Sequence, residues 1–324
     1  MEPGQPSRTS ILVAALRAFG ARDADPAVRN PDFLAGRLIS DADLQSIREH
    51  PISHAIREDY LKSRQNPEVA GMSNLVLIRT RFIDEHFRSA LQEGATQVVI
   101  LGAGFDTRPY RFADFLKGKR VFEVDYRSTQ EIKKQRLADA SIPIPSHVCF
   151  AEADFKKDVL RDVLRDAAYD PAARTFFVWE GVSMYLTEDA VRETLRTIAL
   201  HSGRGSSLVM DFAGLAMIEM LQRFPHLSQH NYSTRWGEPW IFGVPDMRES
   251  EFFRECGFEL REVVTFFSRE AADRYLTRSD GSRLGSVRGG PPQSHRFTTL
   301  VGVLSMLLTR RSKWYAVAKL DVSR

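Results

Sequence analysis

Residues 97–106 read QVVILGAGFD. Val98, Val99, Ile100 and Leu101 form a short apolar run rich in β-branched residues, and Gly102-Ala103-Gly104 stops it. Such a run predicts a buried parallel strand that passes through a tight turn into a helix. In open α/β sheets ligands lie in the crevice beyond the carboxyl ends of the strands, and glycines such as Gly102 and Gly104 let them approach the backbone closely. The stretch therefore predicts a cofactor site.

Further strands are predicted at residues 120–124, 147–151, 175–179 and 207–210, each followed by a segment long enough for a helix. This rhythm implies right-handed crossovers and a mostly parallel α/β sheet with helices on both faces. Acidic residues recur where strands end: Asp125, Asp154, Glu180 and Asp211. Two later strands are predicted at 258–266 and 313–320.

Residues 1–95 show helical patterns only and are expected to form an N-terminal lid. Ser10 is placed to cap a helix through Phe19, shorter helices are expected at 33–38 and 41–49, and residues 74–91 carry the strongest amphipathic pattern. Residues 96–324 are expected to form the cofactor-binding core. A helix is predicted at 107–116 after the first strand, and a cap is inserted at about 213–247, where Tyr232, Trp236, Trp240 and Phe242 cluster. The Gly/Ser/Arg-rich residues 278–294 read as a loop.

Composition narrows the class. With 324 residues, 43% hydrophobic and 27% charged, the chain can bury a large core. Its 45 basic and 42 acidic residues nearly cancel, which gives no support for nucleic-acid binding. Cys149 and Cys256 are expected to be reduced, and no His or Cys lies at metal-ligand spacing. The apolar stretch 299–308 is too short to span a bilayer, so a cytoplasmic enzyme without a membrane partner is the expectation.

The turn departs from the dinucleotide fingerprint, because Thr107 stands where Gly or Ala is wanted and Asp106 precedes it. A carboxylate at the mouth of the helix repels a pyrophosphate and suits a cationic ligand end. S-adenosylmethionine, with a sulfonium, an ammonium and no phosphate, fits. Asp125, at the end of the second strand, is placed for the ribose hydroxyls, a feature that NAD sites share. Asp154 and Phe155 are placed for the adenine.

The segments VVILGAGFDTRPYRF, FEVDY, FVWEGVSMYL and RTRFID, with SRTSILVAALRAF and DFLAGRLI, resemble the leucine carboxyl methyltransferase-like family. The resemblance covers roughly residues 8–265 and points to the bacterial branch of S-adenosylmethionine-dependent O-methyltransferases. It implies a Rossmann-like class I methyltransferase sheet with S-adenosylhomocysteine as product. It also implies that Arg79 pairs with the cofactor carboxylate, that Gly102 lies under the cofactor, and that Asp125 and Asp154 with Phe155 take the ribose and adenine. Glu180 then takes the ammonium group. A second N-terminal basic contact is implied, for which Arg57 and Lys62 are in view.

For the acceptor, Tyr185 can donate a hydrogen bond to an oxygen, and His226 and His230 can act as bases if that oxygen is a hydroxyl. A carboxylate acceptor is already ionised and needs none. The expected reaction is methylation of a carboxylate or hydroxyl of a small secondary metabolite. Alternatives are a protein C-terminal carboxyl, a non-catalytic S-adenosylmethionine-binding protein, and a nicotinamide-dependent dehydrogenase.

Overall fold

The computed structural model describes residues 6–155, 157–224, 232–285 and 315–323. A seven-stranded sheet in the order β3-β2-β1-β4-β5-β7-β6 organises them. Its strands are β1 (Gln97–Leu101), β2 (Arg120–Asp125), β3 (Val148–Glu152), β4 (Thr175–Trp179), β5 (Ser207–Ala213), β6 (Phe258–Thr265) and β7 (Tyr315–Val322). The first five run parallel, and β7 is antiparallel to both β5 and β6.

Period-2 alternation divides each central strand between two cores. Val98 and Ile100 of β1, with Phe176 and Val178 of β4, pack on one face, while Val99, Leu101, Phe177 and Trp179 pack on the other. The helices before the sheet are α1 (Arg8–Gly20), α2 (Asp41–Ser46), α3 (Ile52–Ala55), α4 (Tyr60–Ser63) and α5 (Pro67–Gln92). Those that follow include α6 (Arg108–Arg111), α7 (Arg127–Asp139), α8 (Leu160–Asp166), α9 (Glu188–Leu200) and α10 (Leu215–Arg223). Ile78, Phe82, Ile83, Phe87 and Leu91 of α5 cover the first face of the sheet. Ile11, Leu12, Leu16 and Phe19 of α1 build a third core with Leu34, Leu38, Val76, Phe105 and Tyr110, which ties the N-terminal helices to the turn after β1.

Several boundaries differ from the sequence-based expectation. Helix α1 is capped by Ser7, whose hydroxyl accepts from the Ser10 N–H at 3.3 Å, and Ser10 lies inside the helix. Helix α5 starts at Pro67, because Asn66 accepts the Glu68 and Val69 N–H groups and proline fits the first helical position. After β1 only one helical turn forms: Phe112 leaves helical geometry so that it and Leu116 are buried beside Phe87. Residues 35–37 form a 3-10 turn. The excursion after β5 returns beside its start, where Val244 N donates to Ala213 O and Leu215 N to Val244 O, both at 2.8 Å.

Residues 278–285 are anchored: Arg278 pairs with Asp23 at 3.1 Å, and Ser279 N donates to Asp25 at 2.8 Å. The remainder of the Gly/Ser/Arg-rich loop, the apolar stretch 299–308 and the expected start of the last strand at 313–314 lie outside the described residues. Cys149 and Cys256 are free thiols. No described helix is long and apolar enough to cross a membrane.

Candidate active site

The turn after β1 is fixed by two glycines for different reasons. Gly102 has φ +66°, and a Cβ there would come within 2.3 Å of Val182 Cγ2, so the missing side chain makes room for the loop after β4. Gly104 has φ +40°, and its N–H donates to Asp125 Oδ2 at 2.6 Å. The other oxygen of Asp125 accepts from Tyr126 N at 2.7 Å. Asp125 thus stitches the end of β2 to the turn after β1. Burial pushes its carboxyl up, against the pull of these two N–H donors. A carboxylate has about four acceptor sites, so ribose hydroxyls can still be accommodated. Asp154 Oδ1 accepts from the Tyr126 hydroxyl at 2.9 Å, and the half-buried Phe155 packs on the α9 side of the sheet.

A continuous network of buried charges lies where β1, β4 and β5 converge. Glu180, directly after β4, faces Arg79 Nε at 2.8 Å and Arg108 Nη1 at 2.8 Å, and also pairs with Arg17. Arg79 Nη1 donates to Asp211 Oδ2 at 2.7 Å and to the Tyr315 hydroxyl at 2.8 Å. Asp211 also accepts from Gly181 N at 2.7 Å and from Tyr315. Arg108 Nη1 pairs with Asp106 at 2.6 Å and its Nε with Asp84 at 2.8 Å; Arg111 joins Asp84 at 2.8 Å. Asp32 lies 3.6 Å from Arg17.

Burial alone would raise the Glu180 carboxyl, but Arg17, Arg79 and Arg108 outweigh it and hold it well below the usual range. Such networks recover their desolvation cost only when geometry is good, so they are weak evidence of stability and better evidence of function. Two features leave room for a ligand. Arg17 Nε and Arg108 Nη2 are buried without a hydrogen-bond partner. Four guanidiniums, of Arg17, Arg79, Arg108 and Arg111, face five carboxylates, of Asp32, Asp84, Asp106, Glu180 and Asp211, an excess of one negative charge. S-adenosylmethionine, a zwitterionic amino acid carrying one extra positive charge, complements both.

Tyr185 ends the 3-10 turn Ser183–Tyr185. Burial pushes its phenol up to about 12, while hydrogen bonding with Trp240 and Thr9 pulls the other way. The Trp240 and Tyr315 rings lie 5.2 Å apart, and Phe266 lies 4.8 Å from Tyr315. This aromatic wall adjoins the charge network through the Tyr315 hydroxyl. An open groove of about 540 Å³ between β3 and α8, lined by Phe150, Asp158 and Asp162 among others, shares no residue with the network.

The structure brings Arg79, Glu180, Asp106 and the Gly102 turn into one region, and joins Asp125 to that turn. His226 and His230 lie outside the described residues. Arg57 pairs with Asp41 on the surface and Lys62 is exposed; besides Arg79, it is Arg17 of the N-terminal segment that reaches Glu180. Arg17 carried a signal, a lone charge within the apolar pattern of α1. Tyr315, delivered by an antiparallel strand, carried none.

The parallel order with one antiparallel strand inserted beside β5, and a glycine turn flanked by strand-end carboxylates, define a class I methyltransferase fold. The family model for leucine carboxyl methyltransferase matches residues 10–199. The chain belongs to that family of S-adenosylmethionine-dependent methyltransferases. It is 34% identical over 230 residues to the Bacillus subtilis (strain 168) protein named "Putative S-adenosyl-L-methionine-dependent methyltransferase YktD", covering 66% of this chain and 73% of that one. A similarly named protein of Mycolicibacterium smegmatis is 34% identical over 206 residues, which span 63% of this chain and 65% of the relative's length. The crystal structure described as "a putative sarcosine dimethylglycine methyltransferase from Galdieria sulphuraria" aligns with TM-score 0.43 and 9% identity over 83% of this chain and 88% of that one.

Proposed function

We propose that the chain methylates an oxygen, carboxylate or hydroxyl, of a small apolar or aromatic molecule. The observation that carries this reading is the wall of Tyr185, Trp240 and Tyr315, continuous with the buried charge network through the Tyr315 hydroxyl.

When bound, S-adenosylmethionine supplies a methyl group already activated by its sulfonium charge. Arg79 and Arg17 are the cations for its carboxylate, since guanidinium grips carboxylate in a bidentate way. Glu180 is the anion for its ammonium group. Asp106 orients Arg108 and adds to the negative field. Gly102 and Gly104 shape the turn, Asp125 takes the ribose, and Asp154 with Phe155 takes the adenine. Tyr185 orients the acceptor oxygen, and helix α1 with the segment after β5 excludes water.

The description of the matching family favours a second reading, a carboxylate acceptor that includes a polypeptide C-terminus. Labelled cofactor incubated separately with a metabolite extract and with peptides ending in leucine tests both. Label in a small molecule, detected by mass spectrometry, supports the first reading; label confined to peptides supports the second.

A further inference from the structure

Glu238 stands apart from the charge network. It follows the helical turn Tyr232–Arg235, and its N–H donates to Ser233 O at 2.7 Å. Its Oε2 accepts the Ser7 hydroxyl at 2.9 Å and the Thr9 hydroxyl as well. Where Glu180 has three guanidiniums, Glu238 pairs with no cation among the described residues, and its Oε1 accepts no hydrogen bond from them. Shortly after Glu238, Ile241 N donates to Met184 O at 2.8 Å, which sets the segment that carries Glu238 and Trp240 alongside the turn that ends in Tyr185. The Trp240 indole lies beside the Tyr185 phenol.

We infer that Glu238 is the proton acceptor for a hydroxyl-bearing substrate, a phenol or enol, seated against Tyr185 and Trp240. This inference rests on the oxygen-methylation reading above and narrows it. An ionised carboxylate substrate would set a second uncompensated anion beside Glu238, whereas a hydroxyl donates to the free Oε1. The Ser7 and Thr9 hydroxyls hold Oε2 and so aim Oε1. In the reaction the acceptor O–H bond breaks and its proton passes to Glu238. The oxygen forms the bond to the methyl carbon, and the electron pair of the broken carbon–sulfur bond stays on sulfur as the neutral thioether. The proton then leaves to solvent.

The test uses the full chain with labelled S-adenosylmethionine and a metabolite extract, and the products are treated with alkali. Methyl ethers retain the label and methyl esters release it as methanol. Base-stable label is expected, and Glu238→Gln, which keeps an acceptor oxygen for Ser7 and Thr9, is expected to lower turnover at least a hundredfold. Its affinity for S-adenosylhomocysteine by calorimetry is expected to stay within twofold, with an unchanged melting temperature. Base-labile label, or full turnover by the variant, overturns the inference while leaving oxygen methylation intact. Loss of S-adenosylhomocysteine affinity in parallel with turnover also overturns it, because Glu238 would then only hold the N-terminal helix in place. S-adenosylhomocysteine binding with no labelled product from extract or peptides overturns the oxygen-methylation reading itself.

Discussion

Arg17 of α1 and Glu180 beyond β4, 163 residues apart in sequence, form a buried ion pair. The pair joins the N-terminal helices to the carboxyl end of the sheet at the point where the cofactor's amino-acid end is proposed to sit. Arg17→Ala is expected to destabilise the fold by less than the ~3–5 kcal/mol typical of orphaning a buried charge, because Arg79 and Arg108 still hold Glu180. Affinity for S-adenosylhomocysteine is expected to fall at least tenfold by calorimetry. Arg57→Ala, on the surface, should leave both quantities unchanged.

Asp125 braces the turn through Gly104 and is proposed to meet the ribose. Asp125→Ala is expected to weaken S-adenosylhomocysteine binding at least tenfold, about 1.4 kcal/mol. Asp125→Asn keeps one acceptor oxygen and should recover more of the melting temperature than of the affinity. Unchanged affinity in Asp125→Ala would remove this residue from the site.

His50 gives a pH signature independent of the cofactor. Burial pushes its imidazole down to about 4 from an ordinary 6.5; its Nδ1 accepts from Ile52 N at 3.0 Å and its Nε2 meets Met72 Sδ at 3.2 Å. The folded state therefore binds fewer protons than the unfolded state between those values. The stabilisation is complete above pH 6.5 and is lost as pH falls towards 4, on the order of 3 kcal/mol over the window. Denaturant unfolding of wild type and His50→Gln across pH 4–7 checks this: the difference between their stabilities should shrink on acidification, while a constant difference would refute it.

Gly102→Ala tests the geometry of the turn. The added Cβ would meet Val182 Cγ2 at 2.3 Å with φ at +66°. A loss of about 1–3 kcal/mol is expected. A second change, Val182→Ala, removes the clash but not the backbone strain, so it should restore part of the loss. Full restoration would show that the left-handed conformation costs little here.

The parallel sheet was legible because its strands are short, apolar and closed by glycines or acids, which ties periodicity directly to burial. Boundaries were less so where tertiary contacts decide them: α6 gives up its later turns to bury Phe112 and Leu116, a trade invisible to local pattern. The acids at strand ends were readable, since their positions follow from the sheet. Their partners were not. Arg108 pairs with Asp106 two residues before it but also reaches Glu180, 72 residues away, and Tyr315 reaches Asp211 only through the antiparallel pairing of β7 with β5. Such pairings are set by topology across long separations, for which a single sequence carries no periodic signal.

The insertion of β7 between β5 and β6 also sets an order on biosynthesis. While the polypeptide emerges from the ribosome, β6 has no neighbour to pair with and the β5 edge stays open until residues 315–322 arrive. Until then Asp211 lacks the Tyr315 hydroxyl, although Arg79 and Gly181 are already present. A nascent chain stalled before residue 315 therefore exposes a sheet edge open to wrong pairing.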